Sequence, residues 1–128
     1  MKRKIILKDF ITRKDLADNK DKIFLFGDND LRIGFGGQAK QMRGEKNSIG
    51  IRTKKAPSMG TDSFYTDDEL EENIKKIDED FLKIPKDKDI VIPSGGIGTG
   101  LAMLNIKAPK TFEYLQNKIK KLIEDQNE

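Results

Sequence analysis

Ile23-Phe24-Leu25-Phe26 is apolar at every position. A strand tolerates that only when both of its faces are buried, as in a parallel sheet covered by helices on either side. The next thirteen residues narrow the choice further. Gly27-Asp28-Asn29-Asp30-Leu31-Arg32-Ile33-Gly34-Phe35-Gly36-Gly37-Gln38-Ala39 reads as a polar loop, a glycine hinge and the start of a short helix. A second apolar run, Ile90-Val91-Ile92, leads into Pro93-Ser94-Gly95-Gly96-Ile97-Gly98-Thr99-Gly100-Leu101. Two glycine-rich loops, each after a strand, suggest one phosphate-binding mouth.

The intervening segments fit the same architecture. Lys4 to Lys8 reads as a first short strand. Thr12 and Asp15 stand in capping-box spacing, flanked by Ile11 and Leu16 as a hydrophobic staple, and Asn19-Lys20-Asp21 ends that helix. Ala39 to Arg43 is a second short helix, closed by Gly44. Ser48 to Thr53 alternates Ile49 and Ile51 with small or polar residues, as a third strand does. Pro57 and Gly60 break regular structure in the loop that runs on to Tyr65. Thr66-x-x-Glu69 has capping-box form, and behind it Leu70, Ile74, Ile77 and Phe81 repeat at helical spacing, ending before Pro85. Lys86-Asp87-Lys88-Asp89 is a charged turn. Pro109 suits the first turn of a last helix, with Phe112, Leu115, Ile119 and Leu122 towards the core. The tail from Asp125 to Glu128 is expected to fray. The order β, α, β, α, β, α, β, α implies a single-domain α/β layered sandwich over residues 1–128 with a mainly parallel sheet. In such sheets ligands bind beyond the carboxyl ends of the strands, where both glycine loops fall.

Composition excludes several chemistries. The chain of 128 residues has no Cys and no His, which removes disulfides, thiolate nucleophiles, histidine bases and the usual zinc ligands. No metal and no cofactor are expected. A net charge of +3 permits an anionic ligand but does not point to nucleic acid, which wants clustered charge. No apolar run reaches membrane-spanning length, and Met1-Lys2-Arg3-Lys4 precedes too few apolar residues for a signal peptide. A cytoplasmic protein without a membrane partner is expected, and homo-oligomerisation is left open.

Seven of the eleven glycines fall in the two loops, more than turn-making alone requires. Gly34, Gly36 and Gly37 on the first, and Ser94, Gly95, Gly96, Ile97, Gly98, Thr99 and Gly100 on the second, offer backbone N–H groups to phosphate. Neither loop contains the Gly-Lys-Ser/Thr of a P-loop. Gly34-x-Gly36-x-x-Ala39 fits a dinucleotide fingerprint only formally. It starts seven residues after Phe26, and Thr53-Lys54-Lys55 stands where an acid belongs. Asp28 and Asn29 are candidates for a ligand or catalytic role: polarising water, or bonding an adenine amine or ribose hydroxyls. Asp30 reads as a turn residue. Gly27 and Gln38 flank these groups. Arg43, Arg52, Lys54 and Lys55 are candidate anion partners, each competing with a plain solvated role. Phe35, Phe64 and Tyr65 suit either base stacking or packing.

Phe26-Gly27-Asp28-Asn29, Gly36-Gly37-Gln38-Ala39, Met42-Arg43-Gly44, Asn47, Gly50-Ile51, Thr53-Lys54 and Gly96-Ile97-Gly98-Thr99-Gly100-Leu101-Ala102 with Ala108-Pro109 resemble a family of small uncharacterised proteins of bacteriophages and bacteria. The resemblance runs from about Thr12 to Pro109 and implies no activity. More distantly, the layout is similar to the macrodomain, an ADP-ribose-binding α/β module. That similarity implies Asn29 near the distal ribose, Gly36 and Gly37 at the diphosphate, and Ser94 to Thr99 closing over it. Three functions are therefore expected as alternatives: a module binding an ADP-ribose-like nucleotide, which in a phage would sequester a host immune signal; a macrodomain-type hydrolase of ADP-ribosyl or ADP-ribose phosphate bonds; and a non-enzymatic interaction domain. The absence of a clear nucleophile–base pair favours binding over turnover.

Overall fold

The structure, a computed structural model, describes residues 3–125. Four strands form one sheet: β1 (Ile5–Lys8), β2 (Ile23–Asn29), β3 (Ser48–Lys54) and β4 (Ile90–Pro93). Their spatial order is β1-β4-β2-β3 and every pairing is parallel. The helices are α1 (Arg13–Asp18), α2 (Ala39–Met42), α3 (Leu70–Phe81), α4 (Leu104–Lys107) and α5 (Pro109–Asp125). The α/β layering and the parallel sheet are as the apolar runs imply. Residues 126–128 of the expected frayed tail lie outside the described residues, as do Met1 and Lys2.

Both faces of the sheet are covered, which is why Ile23 to Phe26 needs no polar position. Leu25, Ile51, Ile90 and Ile92 pack with Ile77 of α3, Leu104 of α4 and Leu115, Ile119 and Leu122 of α5. On the opposite face Phe24, Phe26 and Val91 pack with Leu16 of α1 and Ala39 and Met42 of α2. Alternate β2 residues therefore feed two separate cores.

Several boundaries differ from expectation for physical reasons. The Thr12–Asp15 capping box forms in both directions, and Ile11 and Leu16 are fully buried as its staple. The Thr66–Glu69 box does not form: Asp67–Glu69 is a 3-10 turn, Thr66 makes no side-chain cap, and Glu69 pairs with Lys55 at 2.6 Å instead. Asp67 takes over a capping role, but for α5. Its carboxylate accepts the backbone N–H of Lys110 and Thr111 at 2.9 and 3.1 Å. Phe112 is only half-buried, whereas Thr111, on the neighbouring stripe, is buried against Asn73. The second glycine loop is followed by a helix not expected from the sequence, α4, anchored by the fully buried Leu104. Among the described residues no helix is long and apolar enough to cross a membrane.

Desolvation works against ionising Asp67, but the bonds from Lys110 and Thr111 outweigh it and hold its carboxyl below the usual range. Asp15 is held low too, chiefly by the Thr12 backbone N–H. A depressed folded pKa contributes stability that is present above the unfolded value and lost as pH falls through the folded one. Asp67→Ala is expected to cost about 1–2 kcal/mol, read as a fall of several degrees in melting temperature at pH 7. That deficit should shrink below pH 4, where the wild-type carboxylate protonates.

Candidate functional site

The sheet diverges towards the carboxyl ends of its two central strands. β2 and β4 are in register only at Ile23↔Ile90 and Phe24↔Val91. Beyond that point the chain leaves β2 towards α2 on one face and leaves β4 towards α4 and α5 on the other. Adjacent parallel strands whose connections go to opposite faces leave a crevice between their carboxyl ends. A cleft of about 340 Å³ lies there, lined by both glycine loops. Gly27 is its floor: it is the one exposed position in an otherwise buried β2.

Gly27, Asp28, Asn29, Gly34, Gly36, Gly37, Gln38, Arg43 and Lys54 on the first side line this cleft, with Gly95, Gly96, Ile97, Gly98, Thr99 and Gly100 on the second. Ser94 does not line it; its hydroxyl donates to Asp9 Oδ1 at 2.6 Å. Asp9, Phe10, Thr53 and Pro57 also line the cleft, although the sequence offers none of them as a ligand candidate. At Gly36 the loops touch, since a Cβ there would stand 2.7 Å from Leu101 Cδ1. Gly96 and Gly98 both have φ of +93°, a left-handed turn in which a side chain is strained. Among the described residues the amides of Gly36, Gly37, Ile97, Gly98 and Thr99 have no hydrogen-bond acceptor.

The polar residues divide into those spent on the fold and those still available. Asp28 and Asn29 are not in a loop; they are the last two residues of β2. Asp28 is 5% exposed. Oδ1 accepts Asn29 N–H at 2.8 Å and Arg43 at 2.5 Å, while Oδ2 accepts Arg32 at 3.1 Å and Arg43 at 3.3 Å. An ionised carboxylate offers about four lone-pair positions, so none remains for a water or a ligand amine. Asp28, a catalytic or ligand candidate by sequence, thus lines the cleft with its carboxylate held by these four bonds. Arg43 is largely engaged too: besides Asp28 it donates to Gly34 O at 2.7 Å and Ile33 O at 3.2 Å, which uses four of its five N–H groups and clamps the first loop. Gln38 bonds Ile11 N–H and C=O at 3.0 and 2.8 Å, joining that loop to the one after β1. Asn29 orders its own turn, accepting from Leu31 N–H at 3.0 Å and donating to Ile33 O at 2.7 Å, with one amide hydrogen left over.

A further carboxylate completes this network. Asp80 of α3 has no exposed surface. It accepts Arg32 at 2.6 Å, Arg52 Nε at 3.1 Å and Arg52 N–H at 2.7 Å. Arg32 also donates to Gly50 O at 2.7 Å. Gly50 O and Arg52 N–H belong to β3, an edge strand, so the network satisfies backbone groups that would otherwise invite another strand. Gly50 is glycine because a Cβ there would lie 2.5 Å from Asp28 Oδ2. Asp80 stands three residues after Ile77 on the buried face, a placement legible in principle, but apolar periodicity does not single out an acid. Arg52 and Lys55, anion candidates by sequence, are bound to Asp80 and Glu69. For Arg52 the bonds to Asp80 and Glu79 overcome burial and raise its pKa. Asp30 accepts Tyr65 OH at 2.5 Å and Lys76 at 2.8 Å, and burial together with that carboxylate raises the Tyr65 pKa. Tyr65 and Phe64 are core residues, whereas Phe35 is 65% exposed.

Lys54 differs from every other cation near the cleft. A register shift between Asp28 and Asn29 sets Lys54, not Thr53, opposite Asn29. It is 5% exposed, yet among the described residues its Nζ meets only Met59 Sδ at 3.4 Å and the Phe64 ring at 4.8 Å. Burial holds its ammonium below the usual lysine range. Among the described residues no group of three or more acidic side chains gathers as a metal site.

A family of unknown function (DUF7831) matches residues 6–118. The chain belongs to that family. No curated protein and no solved structure matches it. The match spans β1 to the middle of α5, and so includes both loops and the ion-pair network of this DUF7831 member.

Asp80→Asn removes the charge that Arg32 and Arg52 share. Breaking a buried pair costs about 3–5 kcal/mol, and the partial exposure of Arg32 brings the expected loss to the lower end, about 3 kcal/mol. Urea denaturation measures it. Gly50→Ala is expected to destabilise in the same assay by displacing the Asp28 carboxylate.

Proposed function

We propose that the chain binds an ADP-ribose-like nucleotide in the cleft between the two glycine loops, with its diphosphate against their backbone amides. The observation that carries this reading is the convergence of those loops over an exposed Gly27 at the divergence of β2 and β4. Unpartnered amides of Gly36, Gly37, Ile97, Gly98 and Thr99 border the cleft, and amides without an acceptor at glycine-rich turns suit phosphate oxygens. The volume falls in the range of small-molecule sites, roughly 300–1,000 Å³. Asn29, with an amide hydrogen to spare, is the candidate for a ribose hydroxyl. Binding without turnover is the preferred form, since the Asp28 lone pairs are taken and no contact supports a base for the hydrolase alternative. In a phage such binding would sequester a nucleotide signal of the host.

Thermal denaturation with ADP-ribose, NAD, ADP, cyclic dinucleotides and free ribose tests this. At a ligand concentration 100 times Kd the expected stabilisation is about 2.7 kcal/mol. Chromatography should recover the nucleotide intact; consumed ligand would favour the hydrolase instead. Gly27→Ala places its Cβ at ordinary distance from Ile97 and Thr53, 3.5 Å each, so the fold should survive while a methyl group occupies the cleft floor and the shift falls. Absence of any shift with every nucleotide at millimolar concentration overturns the proposal.

A further inference from the structure

Four cations near the cleft are candidates to meet a phosphate, and three are already neutralised. Arg43 serves Asp28, Arg52 serves Asp80 and Glu79, and Lys55 serves Glu69. Lys54 has no ion-pair partner among the described residues; there its Nζ meets the Met59 thioether and the Phe64 ring. A buried ammonium without an anion is costly, and the cost falls when an anion arrives. Lys107, at the end of α4, stands 5.2 Å from the same Phe64 ring, which adds a second positive charge to this end of the molecule. The opposite end of the cleft has the reverse character. Asp9, after β1, places a carboxylate there beside the exposed ring of Phe10. Three inter-strand spacings separate β1 from β3, about 14 Å.

We propose that the cleft is polarised along the sheet edge and that Lys54 is its phosphate-binding cation. An ADP-ribose-like ligand would lie with its diphosphate towards Lys54, its distal ribose at Asn29 and its uncharged nucleoside end towards Asp9 and Phe10 at the β1 end. The orientation rests on the nucleotide reading; the phosphate subsite does not. A polar ligand laid the other way would set phosphate against Asp9 and leave Lys54 unpaired.

Thermal titrations of the full chain at constant ionic strength, with inorganic pyrophosphate and with ADP-ribose, test it on the wild type, Lys54→Met and Lys107→Met. Met matches the length of Lys54 and removes an unpaired buried charge, so the variant should fold; far-UV circular dichroism checks that. Lys54→Met is expected to abolish the pyrophosphate shift and to weaken ADP-ribose about 10- to 100-fold. Lys107→Met, at an exposed position, is expected to weaken pyrophosphate about two- to threefold, which keeps the test open should Lys54→Met not fold. Wild-type affinity for both ligands in both variants overturns the Lys54 assignment and leaves the nucleotide reading standing. A wild type that answers pyrophosphate through Lys54 but ignores every nucleotide supports the phosphate subsite and overturns the nucleotide reading. A wild type that answers neither overturns both.

Discussion

Two buried carboxylates, Asp28 and Asp80, and the three arginines between them tie together the parts of the molecule that the cleft requires. Asp28 ends β2, Arg32 and Arg43 bracket the first glycine loop, Arg52 lies on the edge strand, and Asp80 comes from α3. Remove any one and a charge is left in a poorly solvated place. Buried ion pairs contribute little net stability against an apolar alternative, but they are intolerant of rearrangement. Here that intolerance fixes the path of a loop with no packed side chain of its own: Leu31, Ile33 and Phe35 all face solvent. Arg32 even adopts φ of 57°, a left-handed conformation costing a non-glycine residue about 1–2 kcal/mol, held by its bonds to Asp28, Asp80 and Gly50.

The second loop is positioned by different physics. Ile97 and Leu104 are buried in the larger core, so apolar packing holds both ends of the glycine turn. Thr99 closes it with a bond from its hydroxyl to Gly95 O at 3.0 Å. One wall is thus set by electrostatics and the other by hydrophobic burial. They meet at Gly36 and Leu101, and the floor between them is a strand residue without a side chain. Beside that paired framework stands Lys54, a buried cation with no ion-pair partner among the described residues.

The layering was legible because it derives from periodicity: Ile23 to Phe26 and Ile90 to Ile92 can only be buried strands, and Ile77 or Ile119 can only face a core. The two loops were legible as a pair for the same reason. The roles of single polar residues were not. Asp28 and Arg43 look identical in sequence whether they await a ligand or hold each other, since the deciding distance spans fifteen residues of chain. Thr66 and Glu69 have the local form of a cap, yet Lys55 claims Glu69 and Asp67 turns to α5, both through tertiary contacts. Asp80 was hidden by its type, because an acid on a helix is ordinarily a solvated one.

A site shared between two walls requires that one nucleotide touch both loops at once. A proton–nitrogen NMR titration of the folded chain with ADP-ribose measures this amide by amide. The expected result is saturable shifts at Gly36, Gly37, Ile97, Gly98 and Thr99 together, with the amides of α1 and of the outer face of α5 unmoved. Shifts confined to one loop, or scattered over the surface without saturation, would contradict it.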